Sequence, residues 1–189
     1  IVDLPGHGRS EVLADALGDD LLNAWLEALS NTLPERFYLC GWSLGGMLAL
    51  ALQQRWPARV QGVVMLAASP RFVQTQAWPG LSLDALLSFA QDLQADVQVA
   101  LRQFIGLQFL GVKNSRATVR RILEELQQQG QASPAGLLQG LLLLQNMDLR
   151  EGFSAYSCAV LLGGRDKLVP AALGPAMRAL NAVPRAEVW

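Results

Sequence analysis

A doubly wound α/β fold, built on a mostly parallel sheet and interrupted by a helical lid, is the architecture this sequence predicts. Three observations predict it. Short apolar runs alternate with helix-patterned segments at both ends of the chain. The strand runs are continuously apolar rather than alternating, which suits a parallel sheet buried on both faces. From about residue 71 to 150 strand patterns stop and only helical ones remain. The expected division is a core of residues 1–70 and 151–189 around a lid of residues 71–150, together forming one domain.

The elements follow in order. Ile1–Leu4 reads as a strand end and "PGHGRS" as the loop after it, with Asp3 a turn residue. Residues 19–32 carry Leu21, Leu22, Trp25, Leu26 and Leu29 at helical spacing, and Asp19 is placed to cap that helix. "RFYLCG" (36–41) is a short strand, followed without a gap by a helix over 44–55 that Pro57 stops. "VQGVVMLAA" (60–68) is the next strand. The insertion has helical patterns near 82–94, 97–110, 115–129 and 134–146, broken at Gly111, Gly130 and Pro134. The strand–helix rhythm resumes with a strand over 157–163, a helix near 171–181 and a strand from Ala186. The opening residues already read as a buried strand and "RAEVW" as a strand cut at its tip, so a fold truncated at both ends is expected.

Composition narrows the function classes. With 51% hydrophobic and 16% charged residues the chain has ample material for a core. A net charge of −1, from 15 basic and 16 acidic residues, argues against general nucleic-acid or membrane binding. Cys40 and Cys158 lie in apolar strands and are expected as buried, reduced thiols; with one histidine they build no ordinary zinc site. The most apolar window, residues 136–147, is shorter than the roughly 20 residues a bilayer span needs. No signal peptide is visible. A cytoplasmic monomer is expected.

The chemistry is carried by Gly41-Trp42-Ser43-Leu44-Gly45, a G-x-S-x-G pentapeptide between a strand and a helix. That context makes a sharp turn that holds the serine in a strained backbone and aims its hydroxyl above the sheet edge. Gly41 and Gly45 are expected to relieve crowding there. The Leu44 N–H, at a helix start, faces the place of an oxyanion. A serine needs a base, and the base an orienting carboxylate. Asp166, directly after the strand "CAVLLGG", is the candidate acid; a helix cap or turn aspartate is its structural alternative. His7 precedes Ser43, whereas such sites run serine, acid, histidine. It is therefore expected in a loop that shapes one wall of the site. The base is expected beyond Trp189, and a second oxyanion donor before Ile1.

Together these residues resemble the α/β-hydrolase superfamily. "VDLPGHGRS", "GWSLGG", "ASPRF", "WPG", "NMDLRE" and "GRDKLVP" are similar, over nearly all of the chain, to the BioH family of pimeloyl-acyl-carrier-protein methyl ester esterases. The resemblance implies hydrolysis of the methyl ester of a pimeloyl chain on acyl carrier protein, in biotin synthesis. Ser43 would attack, Asp166 would orient the histidine and Leu44 would stabilise the oxyanion; an acyl-enzyme would form and no cofactor would be needed. Other readings of the scaffold are a broad carboxylesterase, a C–C bond hydrolase, an aminopeptidase or a non-catalytic binder.

Acyl carrier protein is acidic, so its docking face is expected to be basic. Arg102, Lys113, Arg116, Arg120 and Arg121 of the lid are candidates, with Arg116 and Arg120 on one helix face; an ordinary solvated face is the alternative, given Glu124 and Glu125 nearby. Phe104, Leu107, Phe109 and Leu110 are candidates for an acyl tunnel, with Trp42 and Trp78 near its mouth, or else plain core. Asp148 is expected to pair with Arg150 structurally.

Overall fold

The computed structural model describes residues 1–13, 18–109, 115–129, 132–180 and 186–188. Its centre is a parallel sheet of four strands, β1 (Phe37–Trp42), β2 (Val60–Leu66), β3 (Cys158–Leu161) and β4 (Ala186–Val188), in the order β1-β2-β3-β4. The register aligns Gly41 with Met65 and Val160, so the strands end at one common edge. A parallel sheet needs a crossover at every step. The first is α2 (Leu44–Arg55), which packs on β1 and β2. Helix α1 (Leu21–Thr32) precedes β1 and packs on α2.

Helix α1 shows how the apolar spacing acts. Leu21, Trp25, Leu26 and Leu29 fall on one stripe and are all buried, with Trp25 at 0% exposure. Its N-cap position is Asp20, at the end of a 3-10 turn over Gly18–Asp20, and not Asp19 as the sequence suggests; Asp20 makes no side-chain cap bond. In α2 burial runs from Gly46 to Gln53 without interruption, because the helix is enclosed between sheet and neighbouring helices.

The two sheet faces are unequal, which corrects the expectation of burial on both. Val63, Met65, Cys158 and Val160 point to the α2 face and are buried. Tyr38, Cys40 and Trp42 point the other way from β1, an edge strand, and remain exposed, as does Leu161. Alternation along the strand therefore places Cys40 on the surface, contrary to expectation. Cys158 is buried as expected, and burial pushes its thiol up to about 11. Ile1–Leu4 forms no strand among the described residues.

Between β2 and β3 the chain runs through α3 (Leu83–Ala95), α4 (Val97–Gln108), α5 (Ser115–Gln129) and α6 (Pro134–Asn146). Side chains cap three of their starts: Ser82 on Ala85 N–H, Asp96 on Gln98 and Val99 N–H, and Ser133 on Gly136 N–H. Helix α6 sits against α1 and α2, and α4 packs mainly on α3 and α5. A last helix, α7 (Leu173–Leu180), lies before β4. Among the described residues no helix is long and apolar enough to cross a membrane. Leu110, Gly111, Lys113 and Gly130 lie outside the described residues.

Candidate active site

Ser43 occupies the junction of β1 and α2. Its N–H continues the parallel ladder by donating to Leu66 O (2.9 Å), and its carbonyl accepts from Gly46 N (2.9 Å) and Met47 N (3.2 Å), the first bonds of α2. One residue thus ends a strand and starts a helix. That forces φ to 53° with ψ at −121°, a left-handed conformation unusual for a side-chain-bearing residue. A serine at a helix N-cap ordinarily bonds the first free amides; Ser43 makes no such bond. Its hydroxyl is left for other chemistry. Leu44, first in α2, has an N–H without an intrahelical acceptor beside it.

The close approach that permits this turn is at Gly41 and Gly46. A Cβ on Gly41 would lie 2.2 Å from Gly45 O, and one on Gly46 would lie 2.6 Å from the Ala68 Cβ. Gly45, expected to be crowded, has open space around its Cβ position. The motif's last glycine matters through its carbonyl, and the tight packing falls one residue later.

Asp166 follows β3, two strands from Ser43, in a turn closed by its own N–H donating to Gly163 O (3.1 Å). Its Oδ1 accepts from Leu168 N (2.8 Å) and Val169 N (3.0 Å). It is therefore a turn aspartate, and one whose second oxygen is uncommitted among the described residues. Trp42, Ser43 and Asp166 line one cleft at the C-terminal edge of the sheet, the place where ligands bind in such sheets. The remaining walls are Ala67, Leu168, Val169 and, from the end of α4, Gln108; the cleft has room for about one water, at about 10 Å³.

Gln108 and Ala67 are lining residues that the sequence reading missed. A lone glutamine at a helix end carries no signal. Ala67, at φ 43°, is a second left-handed position, and its N–H donates to Leu161 O (2.8 Å). Only the approach of strand ends and the end of α4 brings these groups together.

Other expected residues lie elsewhere. Trp78 is buried away from the cleft: its Nε1 donates to Arg71 O (3.0 Å) and the Arg150 guanidinium stands 5.3 Å over its ring. It stands in the stem of the insertion and is not among the residues that line the cleft. Phe104 stacks on Phe89 at 5.3 Å between α3 and α4, inside the insertion rather than in the cleft. Leu107 is exposed beside Gln108, and Phe109 follows α4. Arg102, Arg116 and Arg120 are all exposed; Arg120 pairs loosely with Glu124 at 3.9 Å. His7 Nδ1 donates to Pro5 O (2.9 Å), and its ring meets the Trp25 ring edge-on at 6.1 Å. Its loop docks on α6, with Ser133 N donating to Gly6 O (2.7 Å), and does not line the cleft.

A strand, a left-handed serine, a helix and a carboxylate from two strands away define the frame of an α/β hydrolase. The profile of the alpha/beta hydrolase family matches residues 1–189, and the chain belongs to that family. Within it, the chain is similar to proteins named as esterases. It is 38% identical over 182 residues to the pimeloyl-[acyl-carrier protein] methyl ester esterase of Methylococcus capsulatus, across 95% of this chain and 70% of that protein. Identity to the esterase of the same name from Edwardsiella ictaluri is 36% over 193 residues, across 100% of this chain and 72% of that one. The fold superposes on an esterase from Exiguobacterium antarcticum with a TM-score of 0.80 at 22% identity, covering 98% of this chain and 70% of that chain.

Proposed function

We propose that the protein hydrolyses the methyl ester of a pimeloyl group carried on acyl carrier protein, in biotin synthesis, with Ser43 as nucleophile and Asp166 as the orienting acid. The observation that carries this reading is the shared cleft of Ser43 and Asp166, with the serine hydroxyl released from helix capping. Similarity to esterases that bear this activity in their names supports the substrate.

The reaction runs as acyl transfer. Ser43 Oγ attacks the ester carbonyl as its proton passes to a histidine, and Leu44 N–H stabilises the tetrahedral oxyanion. Methanol leaves with that proton, and water then releases the free carboxylate from the acyl-enzyme. The Asp166 oxygen not held by Leu168 and Val169 bonds the imidazole. His7, the sole histidine of these 189 residues, bonds Pro5 O and packs against Trp25, and this reading assigns the base to a histidine other than His7. Trp42 flanks the ester, and Arg102, Arg116 and Arg120 receive the acidic carrier protein.

In the esterase carrying that histidine, Ser43→Ala is expected to lower kcat for the carrier-bound methyl ester by about 10⁴–10⁶ with an unchanged melting temperature. Ser43 should also label with a fluorophosphonate. Retained hydrolysis in the alanine variant, measured as free pimeloyl carboxylate, removes the assignment; absence of both labelling and hydrolysis in the parent leaves a ligand-binding protein.

A further inference from the structure

The helical insertion leaves the sheet after β2 and returns before β3, and its two stems are tied together at one carboxylate. Leu149 N donates to Pro70 O (2.8 Å), and Arg71 and Asp148 form an antiparallel bridge. Across that bridge Asp148 Oδ2 accepts from Arg71 Nη1 (2.6 Å) on the outgoing stem and from Arg150 Nη2 (2.6 Å) on the returning one. Arg150 Nε bonds the other oxygen, Oδ1, at 2.7 Å. The arginines are held in turn: Arg71 Nε donates to Val73 O (3.1 Å), and Arg150 stands over Trp78, whose Nε1 donates to Arg71 O. The bidentate Arg150 pair thus orients the carboxylate within the returning stem, and the single Arg71 bond ties it to the outgoing one.

This cluster is linked to the cleft from both directions. The outgoing stem begins at Ala67, a wall of the cleft, four residues before Arg71. At the far side Gln108 reaches the cleft from the end of α4, a helix that packs mainly on α3 and α5 rather than on the sheet. The insertion meets the core at α6, which sits on α1 and α2, and at the Asp148 cluster.

We propose that Asp148, bridged to Arg71 and Arg150, is a positioning residue that fixes the helical insertion over Ser43 and so sets the preference for acyl-chain length. This rests on the reading of Ser43 as an ester-hydrolysing nucleophile. A short acyl group meets the insertion only at Gln108 and feels little of its shift. A longer chain must lie against the insertion and loses binding when that surface shifts.

The experiment compares p-nitrophenyl acetate, butyrate and hexanoate in the active esterase and in Asp148→Asn, Arg71→Met, the double variant and Arg71→Lys. For Asp148→Asn, KM is expected to rise about tenfold for the hexanoate and less than about twofold for the acetate, with kcat nearly constant. Arg71→Met should behave alike, the double variant should be no worse than the worse single one, and Arg71→Lys should recover part of the loss. Amide hydrogen exchange over residues 97–108 should quicken in Asp148→Asn while that of α2 does not, a readout independent of turnover. Equal KM changes for all three esters, or unchanged exchange in α4, overturn the proposal. Activity surviving Ser43→Ala would instead overturn the assignment of the nucleophile. Should Asp148→Asn fail to fold, Arg71→Met and Arg71→Lys carry the same comparison.

Discussion

At Ser43 the backbone stores strain so that the hydroxyl can leave the helix. A left-handed non-glycine residue costs on the order of 1–3 kcal/mol, and it persists here because strand and helix bonds hold it from both sides. The neighbouring glycines divide the work unequally. Gly41→Ala drives a methyl group to 2.2 Å from a backbone oxygen that cannot rotate away. We expect it to destabilise by about 3 kcal/mol or more, measured by urea unfolding, because overpacking against backbone admits little relief. Gly45→Ala meets open space in a helix and should leave stability unchanged or raise it by up to about 1 kcal/mol. Equal losses at the two positions would contradict the geometry. The cysteines give a second test at this scale. In the folded 189-residue chain Cys40 should react with a thiol reagent at pH 8, and Cys158, raised to about 11 by burial, only after unfolding.

Among the elements, α5 shows why charge alone does not define a docking face. Arg120 and Arg121 reach Glu124 and Glu125 one turn on, at 3.9 and 3.6 Å, exposed pairs worth little to stability. Arg102 and Arg116 have no ion pair among the described residues, so their charge faces solvent undiminished. In the active esterase, Arg116→Ala with Arg120→Ala should raise KM for the carrier-bound ester several-fold, about 1 kcal/mol, and less at high salt. The same variant should change kcat/KM for a small p-nitrophenyl ester far less; equal losses on both substrates would remove the carrier face from α5. Strand β1 makes a related point: its apolar run fits a fully buried strand, yet at the sheet edge Tyr38, Cys40 and Trp42 stay exposed. A run of apolar residues specifies a strand and leaves open what covers it.

For the molecule as a whole, the Asp148 cluster joins the two parts of the chain and makes its stability depend on acid. Bonds from Arg150, and then from Arg71, outweigh desolvation and lower the Asp148 carboxyl from 3.8 to about 2. A carboxyl lowered on folding favours the folded state above its unfolded value, and that contribution disappears as pH falls through the folded one. The gap in melting temperature between the parent and Asp148→Asn should therefore be full above about pH 4 and close toward about pH 2. A constant gap over that range would show that the carboxylate's charge plays no part in holding the stems.

The strand–helix rhythm, the four inserted helices and the elbow around Ser43 were readable from residue order, because each is a local matter. Apolar spacing selects a helix or a strand, glycine permits a close approach, and a serine between strand and helix has one backbone solution. The place of Asp166, just after a strand and at the same sheet edge as Ser43, was readable the same way. What lies across the cleft from Ser43 was not readable. Gln108 and Ala67 arrive there from separate strand and helix ends, while Trp78 and Phe104, apolar and well spaced, are absorbed into the stem and the interior of the insertion. Aromatic side chains move to wherever the most area is buried, and that place exists only after distant elements have packed. Chain order thus decides which backbone shapes form and where Ser43 stands; contact between remote segments decides which side chains face it.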